Sequence, residues 1–100
     1  MVTARRVFWT STARRDLQQI YQRVAQRSPE TAQALVEGML KVIEELNTQH
    51  ANGTPEPLLA RETMPYLYIK YAFYKIVYSL IDDKVVIKLI YHQRQDPTVG

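Results

Sequence analysis

The residues best suited to chemistry lie near the end of the chain. Lys75, Lys88, His92 and Arg94 bring three fixed cations and an imidazole into one stretch, with Tyr74 and Tyr91 beside them. Such a set suits an anion. Metal-free cleavage of a phosphodiester needs a group that activates the attacking hydroxyl, cations for the phosphate charge and an acid for the leaving oxygen. The same cations could instead hold an acidic protein surface. A plainer reading stands beside both. Lys75 and Lys88 are solvent-side strand residues of the kind that discourages sheet-to-sheet aggregation, and His92 is a hydrogen-bonded surface histidine.

These residues can act together only if the chain gathers them on one face. They fall within Phe73–Asp96, which reads FYKIVYSLIDDKVVIKLIYHQRQD. Two runs rich in Val, Ile and Tyr flank Asp82-Asp83, a turn-tolerant pair, and each alternates as a half-buried strand does. A two-residue loop pairs Ile81 with Lys84, Leu80 with Val85, Tyr78 with Ile87, Ile76 with Leu89 and Tyr74 with Tyr91. One face is then a core wall. The other collects Lys75, Lys88 and His92 on diagonal neighbours, within reach of one another.

The elements before the hairpin follow from the same periodicities. Arg6–Thr10 (RVFWT) is short, β-branched and aromatic, and reads as a first strand. Thr10 or Ser11 offers an N-cap hydroxyl. Ala13, Leu17, Ile20, Tyr21 and Val24 then mark one face of a helix, with Asp16 near its N-terminal end, where negative charge suits the dipole. Ser28 caps a second helix and Pro29 suits its first position. Ala32, Leu35, Val36, Met39, Leu40, Ile43 and Leu46 form its apolar stripe, and Gly38 within it allows close packing. So short a connection makes the two helices an antiparallel hairpin. The first is basic outside and the second acidic.

Asn47–Pro57 carries Asn-Gly and two prolines and reads as a loop. Leu58–Thr63 is expected to be a short strand, and Tyr66–Ala72 alternates as another. The order β-α-α-β-β-β gives a two-layer α+β domain, residues 1–100 as a single domain. An N-terminal helix hairpin packs on a three- to four-stranded antiparallel sheet.

Several classes of function find no support in the residues. There is no cysteine, hence no disulfide framework and no thiolate metal site. His50 and His92 lack the spacing and the carboxylate partner of a metal centre, so neither a metal nor another cofactor is expected. Ser11 and Ser28 read as caps, and Ser79 has no nucleophile motif around it. Asp82-Asp83 reads as a turn, because adjacent strand residues point apart. No segment resembles a signal peptide or reaches transmembrane length, so a cytoplasmic protein without membrane contact is expected. The net charge of +3 admits nucleic acid or an acidic partner. The many tyrosines suit core edges or a protein-binding surface.

In order and spacing these residues resemble the RelE/ParE superfamily of toxins from bacterial toxin–antitoxin modules. Val7-Phe8-Trp9-Thr10 with Ala13, Asp16, Leu17 and Ile20 looks like the opening W-T-x-x-A-x-x-D-L-x-x-I. Ser28-Pro29 and Ala32 match the start of the second helix, and Tyr74-Lys75-Ile76-Val77-Tyr78 looks like the central strand Y-R-x-x-Y. Val85-Val86-Ile87 leads to His92-Gln93-Arg94-Gln95-Asp96, which looks like the ParE-type ending H-x-R-x-D.

The resemblance implies a ParE-like toxin of a type II module. Such a toxin inhibits DNA gyrase, arrests growth, serves plasmid stabilisation, and is neutralised by a cognate antitoxin in a toxin–antitoxin hetero-oligomer. Its target-binding residues would be Lys75, Lys88, His92 and Arg94, with no turnover chemistry. The alternative is a RelE-like, ribosome-dependent mRNA endoribonuclease using Lys75, His92 and Arg94 on the ribosome. The chain departs from that second pattern. Lys75 stands where those enzymes carry a strand arginine, which removes the bidentate fork for phosphate. The additional lysines before the central strand are not obvious here, with Arg61 and Lys70 as candidate substitutes, and the tail lacks the final aromatic residue that many of those enzymes use to stack a base.

Overall fold

β1 (Arg6–Trp9), α1 (Ser11–Ala25), α2 (Pro29–Thr48), β2 (Thr54–Pro55), β3 (Leu67–Tyr71), β4 (Tyr74–Ile81) and β5 (Lys84–His92) follow one another along the chain. The computed structural model of the protein describes residues 6–48, 54–55, 66–82 and 84–94. The strand expected at Leu58–Thr63 lies outside them, and of the Asn47–Pro57 loop Thr54 and Pro55 are drawn into β2.

Both helix starts follow from their caps. Thr10 stays extended, and its Oγ1 accepts a hydrogen bond of 3.0 Å from the Ala13 N–H. Ser28 Oγ accepts from the Thr31 N–H at 3.2 Å, and Pro29 opens α2. Each cap thereby satisfies a donor that the first turn leaves without an intrahelical partner. Gly38 faces Tyr71, whose ring end occupies the space that a side chain at position 38 would fill. The glycine is thus where β3 closes on α2.

The sheet runs β1-β5-β4-β3-β2. From β2 to β5 neighbouring strands are antiparallel, but β1 lies parallel to β5, with Arg6 opposite Lys84 and Trp9 opposite Ile87. The sheet is therefore mixed rather than wholly antiparallel. A parallel pair needs a long crossover between its strands, and the helix hairpin with β3 and β4 provides one. As a result β5 is an interior strand along Lys84–Ile87 and, among the described residues, has no strand neighbour on the β1 side beyond Trp9.

The β4–β5 register is as expected near the turn and differs further along. Ile81 pairs with Lys84, Leu80 with Val85 and Tyr78 with Ile87. The ladder then skips a residue, so that Val77 pairs with Leu89, Ile76 with Ile90 rather than Leu89, and Tyr74 with His92 rather than Tyr91. Lys88 is the extra residue of a β-bulge. The bulge lets Val85, Ile87 and Ile90 all face the helices, where they are 0%, 0% and 3% exposed. Uniform alternation would have turned Ile90 away. The core joins these three to Tyr74, Ile76 and Tyr78 of β4 and to Ala13, Ile20, Met39, Ile43 and Leu46 of the helices. Tyr21 and Leu40, placed on the helix stripes by their spacing, are instead 40% and 43% exposed.

Candidate functional site

The bulge at Lys88 decides where each candidate residue stands. On β4, Tyr74, Ile76 and Tyr78 belong to the core beneath the helices, so Lys75, Val77 and Ser79 face the opposite side of the sheet. Lys75 pairs across the ladder with Tyr91 on one flank and Lys70 on the other. Its Nζ lies 4.3 Å from the ring centroid of Tyr68 and 5.8 Å from that of Tyr91. Lys88 reaches across β4, placing its Nζ 5.7 Å from the Tyr66 ring. Lys75 and Lys88 thus share a face, as expected. Their heads rest over tyrosine rings, where the negative π-face attracts a cation.

His92 does not join them. One residue past the bulge in parity, it lies opposite Tyr74. Its ring meets Tyr74 edge-on at 5.5 Å and stacks on Phe73 with centroids 6.2 Å apart and planes 15° from parallel. The expectation that Lys75, Lys88 and His92 gather on one face is thereby corrected, because a single extra residue reverses every side chain beyond it. Arg94 follows in the exposed turn after β5, where its backbone N–H donates to His92 Nδ1 at 3.2 Å. The four candidates form two groups: Lys75 with Lys88 on the sheet face, and His92 with Arg94 at its end.

The opening motif has a structural part in this arrangement. Beyond Trp9, no described strand lies on the β1 side of β5, and the start of α1 takes over the hydrogen bonding there. Thr10 N–H donates to the Ile87 carbonyl at 3.1 Å and Thr10 Oγ1 donates to the Lys88 carbonyl at 2.7 Å. Asp16 Oδ2 accepts from the Ile90 N–H at 3.0 Å. Ala13, fully buried, lets the helix lie close to the strand. Thr10 and Asp16 therefore clamp the bulged segment. Burial pushes the Asp16 carboxyl above the usual carboxylate range, although the Ile90 hydrogen bond and the nearby Arg15 charge both pull it down.

Phe73, which stacks with His92 at this end of the sheet, is a residue that sequence reasoning passed over. It sits in the two-residue β3–β4 turn and is 64% exposed. The signal was an aromatic residue directly after Ala72, between two strand patterns, where turn residues are usually small or polar. Among the described residues no three His, Cys, Asp or Glu side chains come together to hold a metal, and no helix is long and apolar enough to cross a membrane.

Comparison with known proteins adds to this geometry. A family model described as the ParE toxin of the type II toxin–antitoxin system parDE matches residues 7–97. Among solved structures, the chain is similar to one in the chromosomal ParDE system of P. aeruginosa. That match has 20% identity and a TM-score of 0.69, covering 90% of this chain and 97% of the other. It is also similar to a chain of the RelBE2 toxin–antitoxin complex of Mycobacterium tuberculosis. There the identity is 24% and the TM-score 0.63, with coverage of 95% and 98%. No curated protein sequence matches the chain. The two structural likenesses, at such low identity, are likenesses of fold.

Proposed function

The chain belongs to the ParE toxin family of type II toxin–antitoxin systems, and on that premise we propose that it arrests growth by binding DNA gyrase in the cytoplasm. A cognate antitoxin neutralises it in a hetero-oligomer, and the module stabilises the replicon that carries it. Lys75, Lys88, His92 and Arg94 contact the target through charge and hydrogen bonding, without bond-making chemistry of their own.

The observation that supports binding over catalysis is the register shift at Lys88. A metal-free nuclease built from Lys75, His92 and Arg94 needs the three converging on one phosphate. Here Lys75 lies opposite Tyr91, while His92 lies opposite Tyr74, on the other side of the sheet. Half-buried Lys75 and Lys88 on one surface and His92 with exposed Arg94 on the adjoining one suit an extended acidic contact better than a single phosphate.

The test is a gyrase supercoiling assay with the purified chain, in which cleaved DNA is trapped and counted. The reading predicts inhibition with accumulation of linear DNA, and a loss of about tenfold or more in potency for Lys88→Ala combined with Arg94→Ala. Unimpaired gyrase together with cut mRNA on purified ribosomes would refute it.

A further inference from the structure

We propose that Phe73 is the apolar anchor of the target contact, and that the surface receiving it is an apolar pocket rimmed by carboxylates. The inference rests on the reading of the chain as a toxin that acts by binding a protein.

A single exposed aromatic ring is ordinary on a protein surface. Phe73 differs in how it is held. Its carbonyl accepts a 2.8 Å hydrogen bond from the Gln93 N–H, which ties the β3–β4 turn to the segment after β5. His92 stacks on its ring, and Tyr74 braces His92 from the edge. A ring fixed before binding loses little side-chain freedom when a partner covers it, so more of its burial counts toward affinity.

The turn that presents the ring is strained. Ala72 has φ 54°, and of the two central residues it alone has positive φ. A two-residue hairpin with positive φ at its first position favours glycine there. Alanine in that conformation brings its Cβ too close to the following carbonyl oxygen. Strain retained in an exposed turn is a reason to look for function at that turn.

The surroundings fix the partner's charge. From Tyr66 to Ile81 and from Lys84 to Arg94 the chain has no Asp or Glu. Lys70, Lys75, His92 and Arg94 stand within a few residues of Phe73 or of its cross-ladder neighbours. Asp82 lies at the far end of the β4–β5 hairpin, directly after Ile81. The described sheet segments around Phe73 thus carry cations and no Asp or Glu, Asp16 of α1 being engaged at the Ile90 N–H, and such a surface complements an acidic one.

The experiment compares the wild-type chain, Phe73→Ser, Phe73→Leu, His92→Ala, Arg94→Ala and Arg94→Glu. Each is measured for inhibition of gyrase, for growth arrest on induction and, as a check of fold, for thermal unfolding. Phe73→Ser is expected to lose about tenfold or more in potency in both functional assays. Phe73→Leu keeps most of the potency, because it keeps an apolar anchor. Arg94→Glu loses more than Arg94→Ala, because it sets like charges against each other. Phe73→Ser with wild-type potency would overturn the inference. So would equal losses in Phe73→Leu, Phe73→Ser and His92→Ala, which would assign the ring to holding the turn. Wild-type growth arrest without gyrase inhibition would remove gyrase as the target. Phe73→Ser would still be compared by growth arrest, and its loss or retention there decides for or against the anchor.

Discussion

Replacing Asp16 tests whether the opening motif of this chain serves structure or charge. Its carboxylate is the acceptor for the Ile90 N–H, at 3.0 Å, on the side of β5 away from β4, where no described strand pairs with it beyond Trp9. Ile90 is 3% exposed, so Asp16→Ala strands its N–H where water reaches poorly. An unsatisfied donor of that kind costs about 1–3 kcal/mol. Asp16→Asn keeps an acceptor oxygen and removes the charge whose desolvation pushes the carboxyl pKa up. Its expected cost is under about 1 kcal/mol, since a neutral hydrogen bond is weaker but carries no buried charge. The assay is urea unfolding of the wild type and both variants at neutral pH. For a chain of this size about 1 kcal/mol also moves the melting temperature by about 4–8 °C. The dependence on pH has a definite sign. With the folded pKa above the unfolded value, the folded state holds more protons between the two. Wild-type stability relative to Asp16→Asn therefore falls as pH rises through that window, and the difference stays at its lower value above it. Equal, large losses in Asp16→Asn and Asp16→Ala would refute the reasoning, because they would make the charge itself the source of stability. A wild type that gains on Asp16→Asn as pH rises through the window would refute it as well.

Two further substitutions probe close approach and strain. Gly38→Ala in an exposed helix would gain about 1 kcal/mol of helix propensity. Here the added methyl meets the end of the Tyr71 ring, and overpacking costs about 1–3 kcal/mol, so chemical denaturation should show a net loss. In a Tyr71→Val background the same change should instead stabilise, and a loss of equal size there would exclude Tyr71 as the cause. Ala72→Gly relieves the strain of φ 54° at some cost in backbone entropy. It should raise stability by about 0.5–1 kcal/mol, seen as a higher melting temperature, and a lower one would mean that the turn is unstrained.

Much of this architecture was legible because its elements carry strong periodicities. Both helices, their caps at Thr10 and Ser28, and the strand at Tyr66–Ala72 follow from spacing and cap chemistry. Two features were not legible. β1 has only four residues, and its alternation says which side faces in but not which strand lies alongside or in what direction. Whether it runs parallel to β5 depends on the route of the whole chain. The bulge was hidden for a different reason. Val85 to Tyr91 is apolar on both parities, with Val85, Ile87, Leu89 and Tyr91 on one and Val86 and Ile90 on the other. A period of two fits such a run in either register, so alternation alone cannot locate a skipped residue.

What locates it lies far away in sequence. Thr10 fixes the Lys88 carbonyl and Asp16 fixes the Ile90 N–H, two points on either side of Leu89 that a helix can hold only if β5 keeps the bulged path. The candidate site inherits its form from that clamp. With uniform alternation His92 would stand beside Lys75 and Lys88, and the cations would converge as a phosphate site requires. With the bulge, His92 turns to Tyr74 and Phe73 and brings Arg94 to the end of the sheet. The residue types in the tail therefore admit either chemistry. The helix that holds the strand determines which surface they present, so a change at Thr10 or Asp16, remote from any target, bears on the contact through the register of β5.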